Sequence, residues 1–400
     1  MTIIVSIVVL KEYYNSDGTY IVDETGKGIV YVSMTDECDD IELPVDRFID
    51  YMRDIKTLRK IDNTTVITNH IRQTIIDTTR HGSDYAEMLL SKYVYLGPNY
   101  QARVVYQPFL VGLQNAKEFN CDDNYCICPC TGYLAIEIHY SDSPKLTKEK
   151  EGNLITQILF DLTRKVSVGI YVSNFMDVSA LTDDAEMELT LSTTKVSDVL
   201  IDVGTLPKSY EMLELYRQAR EIINPDIAFL HYYKIIEYVS TAVAKKKAIE
   251  HINQHLNQPS YIARDYQYMD TLLNIASQYK DDQRDDCLII NVIQECLDVK
   301  PELRHLPIGL LRQIKNNLGV EMNIDLESIE LSPEKRHSLN KQVASIIYST
   351  RNSIVHAKAN YTPTMWECPQ EELVELNEMM DSFALQMIEW NEVQSDSIRV

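Results

Sequence analysis

Near the C-terminal end of this 400-residue chain stands the run Arg351-Asn352-Ser353-Ile354-Val355-His356. An arginine and a histidine held this close are the residue types that metal-free cleavage of a phosphodiester needs. An imidazole moves a proton near neutral pH, and a planar guanidinium clamps an anionic transition state. The spacing alone is weak, because such a pair arises by chance in a chain of this length. Its meaning comes from the element that carries it.

That element reads as one long amphipathic helix over 333–358. Ser332-Pro333 is a helix start, with Ser as N-cap and Pro in the first turn. Leu339, Val343, Ile346, Ile347, Thr350 and Ile354 then recur at helical spacing as one apolar stripe. Asn352 and His356 fall roughly opposite that stripe, with Arg351 on its flank. Ser338, Ser345 and Ser349 share the face of Asn352 and His356. A column of small residues suits the close approach of another helix or an RNA backbone; a solvated polar face is the plainer alternative.

An R-N-x-x-x-H run at the end of the last long helix resembles the R-x4-6-H motif of HEPN-domain ribonucleases. A second segment, Phe229-Leu230-His231-Tyr232-Tyr233-Lys234-Ile235-Ile236-Glu237-Tyr238, is similar to the aromatic-rich second helix of HEPN domains in ApeA-like abortive-infection proteins. The resemblance covers the second half of the chain and does not reach the first. It implies a metal-independent RNA endonuclease acting in phage defence or as a toxin, needing no cofactor. It also implies a homodimer, or a higher even oligomer, in which two motifs form one composite site. Arg351, Asn352 and His356 would be its catalytic residues. Glu237 could position Arg351 or His356, or be a plain surface carboxylate, and Tyr348 and Val355 could supply the dimer contact. A HEPN-type protein that binds RNA or a partner without cutting is the alternative.

The formal net charge is −22, with −12 in residues 1–200 and −10 in residues 201–400. The overall field therefore gives no long-range attraction to nucleic acid, and any RNA site must be a local basic cleft. Lys245-Lys246-Lys247 is a candidate source, or a solvated helix end. No segment approaches the roughly 18 apolar residues of a membrane span. The run from Ile3 to Leu10 lacks a basic leader and reads as a first β-strand. Eight cysteines without an export signal point to a reducing, cytoplasmic setting. Glycine-rich nucleotide motifs and H-E-x-x-H are absent from the sequence.

Cys121, Cys126, Cys128 and Cys130 form a second constellation. Four thiols in ten residues could hold zinc and organise a scaffold, although C-x-C-x-C is tight for one tetrahedral site; a loop of free thiols is the other reading. Cys38, Cys287, Cys296 and Cys368 are isolated and read as small buried hydrophobes.

The two halves differ in pattern, giving an α+β expectation: a mainly β domain over 1–205 and an all-α, HEPN-like bundle over 206–400. Short β-branched and aromatic runs at Gly28–Ser33, Thr65–Thr68, Arg103–Phe109, Tyr133–His139, Ile155–Leu162 and Val166–Val172 predict strands, with helices near 44–58 and 83–93. Turn residues at Asn15–Gly18 and Gly97-Pro98-Asn99 punctuate them. This half carries no catalytic constellation. Sensing a phage-derived or protein trigger, or covering the helical half, are its expected roles. Later segments at 208–223, 225–255, 262–279, 284–298, 307–318, 333–358 and 369–392 predict helices, broken at Asn224-Pro225, Lys300-Pro301 and Cys368-Pro369.

Overall fold

A computed structural model describes residues 10, 17–22, 28–33, 41–78, 92–118, 130, 133–141, 146–173, 198–256, 266, 270, 273–274, 285–356 and 362–399. The chain divides into two compact units, Met1–Leu206 and Pro207–Val400. The first is rich in sheet and the second is helical, so the protein is mixed α and β. Among the described residues no helix is long and apolar enough to cross a membrane.

The N-terminal unit holds two sheets. Strands β1 (Asp17–Val22), β2 (Gly28–Ser33) and β3 (Ile41–Pro44) form an antiparallel three-stranded sheet. The larger sheet is built from β4 (Arg59–Asp62), β5 (Thr65–Ile67), β6 (Ile71–Thr78), β7 (Tyr93–Gly97), β8 (Tyr100–Tyr106), β9 (Leu134–Tyr140), β10 (Ile170–Val172) and β11 (Val199–Asp202). Its order is β11-β7-β8-β9-β6-β5-β4, with β10 alongside β6 beyond the end of β5. All pairings are antiparallel except β11 with β7. Alternation along each strand sends side chains to opposite faces. Ile71 and Ile75 join a core with helices α1 (Val45–Arg53) and α2 (Phe109–Glu118) and with β2 and β3. Ile76, Ile136 and Ile138 join a separate core under helix α3 (Lys148–Val166).

Helix α3 corrects the strand expected at Ile155–Leu162. Its N-cap Thr147 accepts from the Lys150 amide, and one unbroken helix follows. Leu154, Ile155, Ile158, Leu159 and Leu162 are buried at helical spacing, so a short apolar run was a segment of a longer amphipathic pattern. The strand expected over Val166–Val172 shrinks to β10, because Val166 ends α3 and Ser167 takes a left-handed conformation at φ 55°. Phe109 likewise begins α2 rather than ending a strand. Asp17 and Gly18 belong to β1 rather than to a turn, and Asn15 and Ser16 lie outside the described residues. Of the Ile3–Leu10 run only Leu10 is described, helical and buried, and the helix expected near 83–93 lies outside except for Lys92, in a turn, and Tyr93, which starts β7.

In the C-terminal unit, helix α5 (Pro225–Leu256) is central. Against it pack α4 (Tyr210–Glu221), α6 (Asp285–Cys296), α8 (Pro333–His356) and α9 (Leu373–Glu392), while α7 (Ile308–Leu318) packs on α8. Of the expected helix 262–279, the described residues 266, 270, 273 and 274 are helical. Asn224 starts α5 by accepting from the amides of Asp226 (2.9 Å) and Ile227 (3.3 Å). A polar clasp joins the first helix to the last: Glu392 Oε1 accepts from the Lys208 amide, the Ser209 amide and the Ser209 hydroxyl, the last at 2.6 Å. Asn391 adds a bond to the same hydroxyl at 2.7 Å.

Candidate functional site

Helix α8 carries Arg351, Asn352 and His356 in its last two turns, ending at His356. Ser332 caps its start, accepting from the Lys335 amide at 3.3 Å. Leu339, Val343, Ile346, Ile347 and Thr350 are buried as one stripe, whereas Ile354 is half-buried. The buried arc is wider than that stripe. Gln342, Ala344 and Ser349 are buried as well, which leaves Lys341, Val355 and His356 exposed on the opposite side, with Ser345, Tyr348 and Asn352 half-buried among them.

Ser349 therefore leaves the serine column. Its hydroxyl accepts from Thr364 at 2.9 Å, and its neighbour Thr350 accepts from the Cys368 amide at 2.9 Å, so the segment 364–368 lies along this side of the helix. Ser338 and Ser345 are half-buried. Ser345, Tyr348, Asn352 and Val355 form an arc on the less covered side of the helix.

Arg351 is positioned from two sides. Its Nη1 donates to Asn352 Oδ1 at 3.0 Å, and its guanidinium carbon lies 5.5 Å from the centre of the Tyr233 ring. Tyr233 is buried in α5, inside the aromatic segment singled out in the sequence. The ring face attracts the cation. His356 is exposed at the helix end, and Val355 is 48% exposed. Five residues of α-helix turn through about 500°, so Arg351 and His356 point about 140° apart around the axis. The structure thus brings Arg351 to Asn352 and Tyr233, and does not bring Arg351 to His356 within one chain.

Glu237, one turn after Tyr233, is exposed, and among the described residues it makes no ion pair with Arg351 or His356. The lysine run is mostly committed within the bundle. Lys246 pairs with Glu295 and lies 5.7 Å from the Trp390 ring centre, and Lys247 donates to Asn291 at 2.6 Å. Only Lys245 is exposed, so this run makes no basic cleft.

Of the clustered cysteines, Cys130 is buried in the core beneath α1 and α2, and Cys121, Cys126 and Cys128 lie outside the described residues. Among the described residues no cluster of His, Cys, Asp or Glu could hold a metal ion. Cys368 is buried, and burial together with the charges of Glu372, Glu375 and Glu371 pushes its thiol up to about 12. Burial and Glu295 raise the Cys296 thiol too. Neither is a ready nucleophile.

Sequence reasoning missed a constellation in the N-terminal unit. Glu137, fully buried on β9, faces its cross-strand partners Gln73 on β6 and Arg103 on β8. Its Oε2 accepts from the Tyr51 hydroxyl and Gln73 Nε2, both at 2.6 Å. Its Oε1 receives His139 Nε2 at 2.8 Å, Arg47 Nη2 at 3.3 Å and Arg103 Nη2 at 3.5 Å. Gln73 is fixed in turn, because its carbonyl accepts from the Leu110 and Val111 amides at the start of α2. Burial by itself would raise the Glu137 carboxyl, but the His139 hydrogen bond and the charges of Arg47, His139 and Arg103 hold it well below the usual carboxylate range. Burial and the neighbouring Glu137 charge raise the Tyr51 hydroxyl, which stays protonated as a donor. The one sequence signal was a glutamate inside the otherwise apolar strand Leu134-Ala135-Ile136-Glu137-Ile138.

No protein-family model matches this chain, and neither does any curated protein or solved structure.

Proposed function

We propose that this chain is a metal-independent RNA endonuclease of the HEPN type, acting in phage defence by abortive infection or as a toxin. The observation that supports this reading most is the meeting of the two segments that carry the resemblance: Arg351 from one lies over Tyr233 from the other. Two stretches more than a hundred residues apart are thereby joined at the one residue that would face the phosphate.

In the proposed reaction the 2′-hydroxyl of RNA attacks the adjacent phosphorus. His356 handles the proton of the attacking or the leaving oxygen, the bond to the 5′-oxygen breaks, and a cyclic phosphate and a 5′-hydroxyl result. Arg351, preorganised by Tyr233 and Asn352, stabilises the added charge on the phosphorane oxygens. The divergence of Arg351 and His356 around one helix favours a composite site. There the arginine of one copy works beside the histidine of its mate, on a two-fold axis that presents the arc of Ser345, Tyr348, Asn352 and Val355 twice. The N-terminal unit would serve as the part that senses the trigger.

Purified protein incubated with total cellular RNA in EDTA tests the reading. Cleavage leaving cyclic-phosphate and 5′-hydroxyl ends, lost in His356→Ala, is expected. Intact RNA under every condition tried, including a suspected phage trigger, would leave the silent RNA-binding alternative.

A further inference from the structure

We propose that the Glu137 constellation is the floor of a binding site for the phosphate group of a small phosphorylated ligand, with Arg47, Arg103 and His139 as its recognition residues. The starting point is donor and acceptor accounting. A carboxylate offers about four lone-pair sites, and Glu137 already receives Tyr51, Gln73, His139, Arg47 and Arg103. Three cationic or potentially cationic groups thus crowd onto the single oxygen Oε1.

The arginines are far from used up by it. Each guanidinium has several N–H donors in a planar fork, and each reaches Glu137 through one nitrogen at a distance longer than a strong charged hydrogen bond. Arg47 Nε is buried and has no hydrogen-bond partner among the described residues. Arg47 also interacts with Tyr51, its guanidinium carbon lying 5.6 Å from the ring centre. Two guanidiniums against one carboxylate leave an excess of positive charge, and no other acidic side chain forms an ion pair with either arginine among the described residues. Asp46, the neighbour of Arg47, turns its carboxylate to the Arg47 amide instead.

Exposure gives the direction of approach. Glu137 is fully buried, whereas the Arg47, Arg103 and His139 side chains keep 28%, 32% and 28% of their surface in water. Each of the three thus keeps part of its side chain in water while contacting a carboxylate that solvent cannot reach. Two arginines on one carboxylate make a local positive centre in a chain whose net charge is −22, and such a centre attracts anions. A dianionic tetrahedral phosphate suits the unused forks, which bind such oxygens two at a time. Glu137 holds both forks in place through its Oε1.

The test is calorimetric titration of the full-length protein, in a phosphate-free buffer at constant ionic strength, with inorganic phosphate, ribose 5-phosphate and AMP. All three should bind, and Arg103→Ala should weaken each at least tenfold while leaving the thermal transition in place, since Glu137 keeps its other four donors. Arg103→Lys should recover part of the loss. If Arg103→Ala does not fold, His139→Gln replaces it, with the same weakening expected. Absence of phosphate binding, equal heats from chloride, binding of AMP alone, or unchanged affinity in folded Arg103→Ala would each overturn the assignment. None of these outcomes depends on RNA cleavage by the other unit.

Discussion

The guanidinium carbon of Arg351 lies over the ring of Tyr233, 5.5 Å from its centre. The contact ties the end of α8 to the core of α5. Tyr233→Phe keeps the ring face and should keep RNA cleavage within about threefold. Tyr233→Leu removes it and should lower kcat by about tenfold, the equivalent of roughly 1.4 kcal/mol. Single-turnover kinetics on a short RNA would measure both; equal rates in the two variants would remove Tyr233 from the site.

His356→Ala should abolish cleavage, by about 100-fold or more, with stability changed by no more than about 0.5 kcal/mol. His356 is exposed at a helix end, so nothing is left unsatisfied in its absence. Arg351→Ala should lose activity equally but destabilise slightly more, because it uncovers Tyr233. Urea unfolding beside a cleavage assay separates the two effects. Full activity in His356→Ala rejects the catalytic assignment.

Cleavage should persist in EDTA, because the proposed chemistry uses an imidazole and a guanidinium as its charged groups. Inhibition reversed by magnesium would assign the activity to another mechanism. Inhibition reversed only by zinc would point to Cys121, Cys126, Cys128 and Cys130.

Light scattering should report at least twice the 46.1 kDa chain mass. Replacing Val355, which is 48% exposed on the outward arc, by Glu should shift the protein toward monomer and reduce cleavage in parallel. A monomer cutting at full rate at nanomolar concentration contradicts the composite site.

Acid should destabilise the N-terminal unit through Glu137. Its folded-state carboxyl is depressed, so its contribution is fully present above the ordinary carboxylate value of about 4.3 and is lost as pH falls below it. Glu137→Gln should cost about 2–4 kcal/mol at pH 7. That is less than for a wholly dry pair, because the arginines keep contact with water. The gap between wild type and Glu137→Gln in urea midpoints should narrow from pH 5 to pH 3. A gap independent of pH would show that Glu137 acts through packing alone.

What the sequence disclosed and what it hid follow from range. Local signals are legible: Ser332 caps α8, Asn224-Pro225 breaks the chain between α4 and α5, and Gly97-Pro98-Asn99 turns β7 into β8. These depend on neighbours a few positions apart. Ile155–Leu162 was misread because a short apolar run has no period of its own, and the cap at Thr147 that settles the matter lies upstream. Ser349 was placed on an open face because periodicity knows one helix and not the segment around Thr364 that covers it. The Glu137 constellation was invisible for the same reason. Arg47, Gln73, Arg103 and Glu137 are spread over ninety positions and become neighbours only through the order of β8, β9 and β6 under α1.

The clasp of Ser209 with Glu392 means that the helical unit starts and finishes at one spot. A fold with adjoining ends behaves as a plug-in cassette. Evolution or an engineer can splice it into a loop of a host protein, or rejoin its ends and open it elsewhere, without moving α8 or the arginine it presents.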